Sequence, residues 1–227
     1  MSPFPLRGVR SFVLRGGRIT AGQQRALHEL WPRFGIDATG RLDLDAIFGR
    51  HARRVVEIGF GSGENLLALA AAQPDTDFLG IEVHPPGVGK LLLDVAAAGL
   101  TNVRVLARDA VEVLAQQLED SSCDEILILF PDPWPKKRHH KRRLIQPAFV
   151  ELAARKLRPG GTLRLATDWQ NYAEQMLAVL RLCPLLENLA PAGGFCDRPG
   201  SRPPTRFERR GLGLGHAVWD LAFRRTG

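Results

Sequence analysis

From residue 54 onward, short apolar runs alternate with longer stretches whose apolar positions recur at helical spacing. The runs occupy 54–59 (RVVEIG), 78–83 (FLGIEV), 103–107 (VRVLA), 125–130 (EILILF) and 162–167 (TLRLAT). Each is short, rich in Val, Ile and Leu, and nearly continuous in apolar character, as strands buried on both faces are. Between them, 65–73, 87–99, 110–118 and 146–157 place apolar residues three and four apart, which predicts helices. Strand and helix taking turns along a chain predict a sheet covered by helices on both faces. The fold class expected is therefore α/β: one doubly wound, Rossmann-like sheet, mostly parallel. A further helix is predicted over 172–182 and a closing antiparallel strand over 216–223.

The flanks differ from this body. Residues 1–28 carry five arginines and no acid and read as a basic arm, while 191–215, rich in Gly, Pro and Arg, read as a loop. The organisation expected is a basic arm and helix over 1–45 followed by a single domain over 46–227. At 227 residues the chain suits one generous domain, and its 44% apolar content argues against disorder. The net charge of +7 points to an anionic partner. No stretch approaches the roughly 20 apolar residues of a membrane span, and the start lacks the apolar segment of a signal peptide. A cytoplasmic protein with no membrane partner is expected, and no obligatory protein partner. Cys123, Cys183 and Cys196 are odd in number and far apart, which fits neither a disulfide framework nor a zinc pair. Of the histidines only His139 and His140 adjoin, inside a cationic run, so no metal is expected.

The first strand runs into Glu57-Ile58-Gly59-Phe60-Gly61-Ser62-Gly63 and then a helix. Glycine there lets the backbone approach a ligand closely. The spacing is GxGxG, with Glu64 where a dinucleotide fingerprint has its third glycine, and no P-loop lysine follows. A cationic ligand without phosphate fits better. Glu57 sets a carboxylate beside the turn, suited to an ammonium or sulfonium; Glu82 closes strand two, where this fold reads ribose hydroxyls; Asp109 follows strand three and can receive an adenine amine. S-adenosylmethionine presents those groups in that order. Singly, each acid could equally be a helix cap or a solvated strand end.

Strand four ends in Phe130-Pro131-Asp132-Pro133-Trp134-Pro135, a segment stiffened by three prolines where open α/β sheets bind ligands. Lys136-Lys137-Arg138-His139-His140-Lys141-Arg142-Arg143 follows, with six cations and no acid. A solvated loop is the default for such a run, but beside a ligand site it suits phosphates of a nucleic acid. Asp168 closes strand five and reads either as a cap of the next helix or as a functional acid. Trp134 and Trp169 could stack on a base or simply pack. Gly211 to Gly215 reads as a turn.

Together, the glycine segment, GIEVH (80–84), PDPW with its RHxKRR continuation (138–143), ATDW (166–169) and RPPTRFERRG (202–211) closely resemble the bacterial tRNA (guanine-N7)-methyltransferases. RSFVLRGGR (10–18) and LGHAVWDLAF (214–223) resemble that family too, so the likeness covers nearly the whole chain. The chain departs from the residues common there at His140 and Pro135. The resemblance implies a class I methyltransferase using S-adenosylmethionine, with Glu57, Gly59, Gly61, Gly63, Glu82, Asp109 and Asp132 at the cofactor and Asp132 as the catalytic aspartate. It further implies tRNA contacts from Lys136, Arg138, His139, His140, Lys141, Arg142 and Arg143, and from Asp168, Thr205, Arg206, Phe207 and Glu208. The target implied is guanine 46 in the tRNA variable loop. Two other readings stay open: methylation of an exocyclic amine, and a non-catalytic tRNA-binding protein.

The net charge divides to match. Residues 1–28, 136–143 and 198–227 carry +5, +6 and +5, which leaves −9 on the remainder. An acidic body suited to a sulfonium thus carries three cationic segments suited to RNA.

Overall fold

The computed structural model describes residues 11–12, 18–200, 208 and 217–227. Thr205, Arg206, Phe207 and the turn at 211–215 lie outside the described residues. Parallel strands β1 (Arg53–Ile58), β2 (Thr76–Ile81), β3 (Val103–Leu106), β4 (Cys123–Leu129) and β5 (Leu157–Thr167) are completed by β6 (Leu186–Asn188) and β7 (Trp219–Arg225). Their spatial order is β3-β2-β1-β4-β5-β7-β6, with β7 antiparallel to both β5 and β6. Val56 sits between Leu79 and Ile126, so β1 is an interior strand, buried on both faces as its unbroken apolar run requires.

The two faces build two cores. On one, Val55, Phe78, Val105 and Leu127 meet α4 (Glu64–Ala72) and α5 (Pro85–Ala97). On the other, Val56, Ile58, Ile126 and Leu163 meet α7 (Pro147–Lys156) and α8 (Gln170–Arg181). Helix α1 (Ala21–Glu29), opened by a reciprocal Thr20–Gln23 capping box, lies on α5, and α2 (Trp31–Phe34) sends Phe34 into the first core. The basic arm expected through residue 28 is therefore, from Ala21 on, a docked helix.

Other boundaries also differ from expectation. The helix over 110–118 is a short α6 (Ala110–Glu112) followed by a π turn, Val113–Gln117. The wider turn carries Gln117 inward, where its side-chain Nε2 donates to Ala38 O and its backbone carbonyl accepts from Leu42 N. β5 begins at Leu157 instead of Thr162, because a register irregularity in β4 between Cys123 and Glu125 lets the chain pair through the Pro159–Gly161 bend. A short α3 (Leu44–Phe48) and the three-residue β6 had no periodic signal.

Candidate active site

The chain leaves β1 for β2 and β3 on one side and for β4 and β5 on the other. A crevice opens at the carboxyl ends of the strands on either side of this reversal. It is a cleft of about 410 Å³, lined by Gly59 and Gly61 after β1, Glu82 and His84 after β2, Asp109 after β3, and Phe130, Pro131 and Asp132 after β4. Spacing along the sequence thus becomes proximity, since parallel strands deliver all their carboxyl ends to one rim.

The glycine turn is left-handed at Gly59 (φ 71°) and at Gly63 (φ 79°), where α4 starts. A Cβ at Gly59 would meet no protein atom and would stand in the open, which is what close approach of a ligand needs. At Gly63 it would lie 2.6 Å from Leu91 Cδ1, so this glycine serves the packing of α4 on α5. Glu82 is pinned by three backbone amides: Gly61 N donates to Oε2 at 2.8 Å, while Val83 N and His84 N donate to Oε1 at 2.7 and 3.0 Å. Oε1 is filled by its two donors, whereas Oε2 keeps a second lone pair for a hydroxyl. Asp109 caps α6 through Oδ1, to which Val111 N donates at 2.9 Å, and also lines the cleft, so the cap and ligand readings coexist.

Glu57 lies beneath the turn, 3% exposed, with Oε2 accepting from Asn65 Nδ2 at 2.8 Å. Burial pushes its carboxyl up to about 7, against the pull of the Asn65 hydrogen bond and helped by nearby Glu82. A fixed ribose-type acceptor, a protonatable buried acid and a strand-three acid around an open glycine turn fit a cationic nucleoside. No group of three metal-ligating side chains gathers among the described residues, and none of their helices is long and apolar enough to cross a membrane.

Asp132 is exposed on the proline segment, whose ends are held at unusual backbone angles: Phe130 has φ 51° and Trp134 φ 45°. Two left-handed non-glycine residues thus bracket one acid, a local backbone strain that the surrounding structure has to hold. Trp134 is committed to packing. Its indole N–H donates to Ser11 O at 3.1 Å, the Arg142 guanidinium lies 4.9 Å over its ring, and His139 meets it edge-on. Trp169 instead is exposed in an open cleft of about 630 Å³ with Asp168 and Trp219. Asp168 does not cap α8; the capping position is Trp169, without a side-chain bond. Because β4 and β5 are neighbours, with Phe130 N donating to Ala166 O, the segments carrying Asp132 and Asp168 leave adjacent strands, the first acid lining the glycine-turn cleft and the second the cleft of Trp169.

The cationic run, for which a solvated loop was the default expectation, is a 3-10 helix over Lys137–Arg142. Lys136, Lys137, Arg138 and Lys141 are exposed, while His139, His140 and Arg142 are half-buried. Desolvation, then the surrounding Arg and Lys charges, hold the His139 imidazole below its usual value. Arg143 departs from the expected RNA-facing set: it is 1% exposed and bonded wholly inside the protein. Glu208 is likewise buried, paired with Arg198 at 3.2 Å. Sequence reasoning passed over Asn65 and Gly87. A Cβ on Gly87 would lie 2.1 Å from Gly61 O, so the start of α5 presses on the glycine turn; a glycine within a helical pattern was the available signal.

The family model described as "Putative methyltransferase" matches residues 51–221. The crystal structure of the 16S rRNA methyltransferase KamB aligns over 82% of this chain and 95% of its own with a TM-score of 0.57, a likeness of fold at 16% identity. Sheet order, glycine turn and acidic rim define a class I S-adenosylmethionine-dependent methyltransferase. A tRNA (guanine-N(7)-)-methyltransferase from Methylococcus capsulatus is 54% identical over 226 residues, 100% of this chain and 98% of the relative. One from Leifsonia xyli subsp. xyli is 57% identical over 225 residues, 99% of each chain. This chain belongs to the tRNA (guanine-N7)-methyltransferase family.

Proposed function

We propose that the protein transfers a methyl group from S-adenosyl-L-methionine to N7 of guanine 46 in the tRNA variable loop, leaving S-adenosyl-L-homocysteine. The observation that carries this reading is the position of Asp132, on a strained proline loop between the acidic cleft and the exposed cationic helix. Glu82 and Asp109 would hold ribose and adenine, and Glu57 would steady the turn from below. Bound there, S-adenosylmethionine supplies an electrophilic methyl on a sulfonium.

Guanine N7 carries an in-plane lone pair that is unprotonated at neutral pH, so no general base has to act first. Positive charge grows on the imidazole portion of the base as the methyl arrives. Asp132, with Asp168 on the segment leaving the adjacent strand, opposes that charge more strongly in the transition state than in the ground state. The proline loop holds the acceptor in line, which supplies the entropic share. Lys136, Arg138, His139, His140, Lys141 and Arg142 form the surface offered to tRNA, and Thr205, Arg206 and Phe207 keep the role that family resemblance gives them. A tRNA substrate goes with a cytoplasmic enzyme that needs no second protein.

Incubation of the protein with labelled S-adenosylmethionine and unmodified tRNA tests this directly. Label should appear at one guanine, located by borohydride and aniline cleavage at position 46. Label on an exocyclic amine, which resists that cleavage, or at a guanine elsewhere would overturn the proposal.

A further inference from the structure

Arg143 closes a run that reads as an RNA-binding surface, yet its guanidinium points inward and joins two segments distant in sequence. Nε donates to Pro133 O at 2.8 Å, Nη1 to Gln175 Oε1 at 2.5 Å and Nη2 to Asn171 Oδ1 at 2.9 Å. The plane lies over the Tyr172 ring, 4.7 Å from its centroid. Pro133 follows Asp132 directly, and Asn171 stands three residues beyond Asp168 in the first turn of α8. The contact is braced from both sides: Gln175 Nε2 donates to Ile145 O at 3.2 Å, and Ile145 N donates to Tyr172 Oη at 3.1 Å.

A buried guanidinium whose partners are carbonyl and amide oxygens is costly, because desolvation is offset only by neutral acceptors. Burial accordingly holds its pKa below the usual arginine value. What arginine offers in exchange is geometry: a planar fork of fixed donors that can bind a backbone carbonyl and two side-chain amides at set angles.

Resting on the methyl-transfer reading above, we propose that Arg143 is a positioning residue: it clamps the Asp132 loop to the start of α8, setting Asp132 and Asp168 at fixed separation around the target base. It does not touch RNA. Charge alone cannot do this, so lysine, which keeps the charge but loses the fork, should not replace it.

The test uses Arg143→Lys in the full chain, with folding checked by circular dichroism and thermal melting. Methylation of unmodified tRNA is measured with tRNA saturating and S-adenosylmethionine varied up to saturation, which gives kcat and the KM of the methyl donor, and tRNA affinity is followed across salt concentrations. Loosening the loop by a fraction of an ångström to an ångström should lower kcat by about 10- to 100-fold. KM for the methyl donor and the salt slope of tRNA binding should stay unchanged. A folded variant with unaltered kcat would make Arg143 structural only, and a salt slope reduced by about one unit would make it a phosphate contact; either overturns the clamp. If Arg143→Lys fails to fold, Asn171→Ala and Gln175→Ala each remove one acceptor, and the same split between kcat and salt slope decides. Wild-type protein that binds tRNA but leaves N7 unmethylated would overturn the functional reading itself, which separates that failure from failure of the clamp.

Discussion

Glu57 offers a pH signature that can be computed from its surroundings. Its carboxyl titrates near 4.5 when exposed and near 7 in the folded chain, where burial outweighs the Asn65 hydrogen bond. The folded state therefore holds a proton that the unfolded chain has already released between these values. Its contribution to stability is complete below pH 4.5, shrinks as pH rises, and is gone once pH passes about 7. At 1.36 kcal/mol per unit, the shift amounts to about 3 kcal/mol. Glu57→Gln keeps the shape and the acceptor for Asn65 and cannot ionise. Relative to this variant, wild type should be equal in stability at pH 4.5 and weaker by about 3 kcal/mol at pH 8, or roughly 6–12 °C in Tm for a chain of this size. Thermal melts of both proteins from pH 4.5 to 8 measure the difference, so that background titrations cancel. Parallel curves would refute the reasoning, showing that Glu57 is ionised throughout or open to water. Saturating S-adenosylmethionine should narrow the gap, since a cation near the carboxylate stabilises its charged form.

Gly87→Ala should cost roughly 1–3 kcal/mol of stability and weaken S-adenosylmethionine binding in calorimetry, because its methyl would meet the Gly61 carbonyl; unchanged affinity would show that the turn can yield freely. Asp132→Asn should lower kcat by about 10²- to 10³-fold in single-turnover methylation while tRNA affinity holds, and loss of affinity alone would reassign it to binding. Replacing Lys136, Arg138 and Lys141 together by Ala should flatten the salt slope of tRNA binding by about two to three units with little change in Tm. An unaltered slope would move the RNA surface elsewhere.

The acidic rim was legible because it depends on strand ends. Five apolar runs of the right length, each with an acid within or just beyond its carboxyl end, place Glu57, Glu82, Asp109, Asp132 and Asp168 toward one edge once the strands are parallel, and parallel order follows from the intervening helices. The glycine turn was legible because glycine spacing carries backbone information directly. The π turn at Val113–Gln117 was not, since its cause is a partner at Ala38 and Leu42, some 75 residues earlier.

What the sequence by itself determined is the α/β order, the acidic rim and the density of charge after PDPW, all properties of local pattern. The tertiary structure alone decided which members of that charge face outward. Arg143 and Arg142 are neighbours in one cationic run, yet one lies over Trp134 and the other is buried against Asn171 and Gln175, 28 and 32 residues further on. It likewise left Trp169 in a cleft and folded Trp134 into packing, and it put Trp169 at the capping position of α8. The physical reason is the same in each case. A side chain's direction is set by acceptors and surfaces that folding brings from far along the chain, and no window of neighbouring residues contains them.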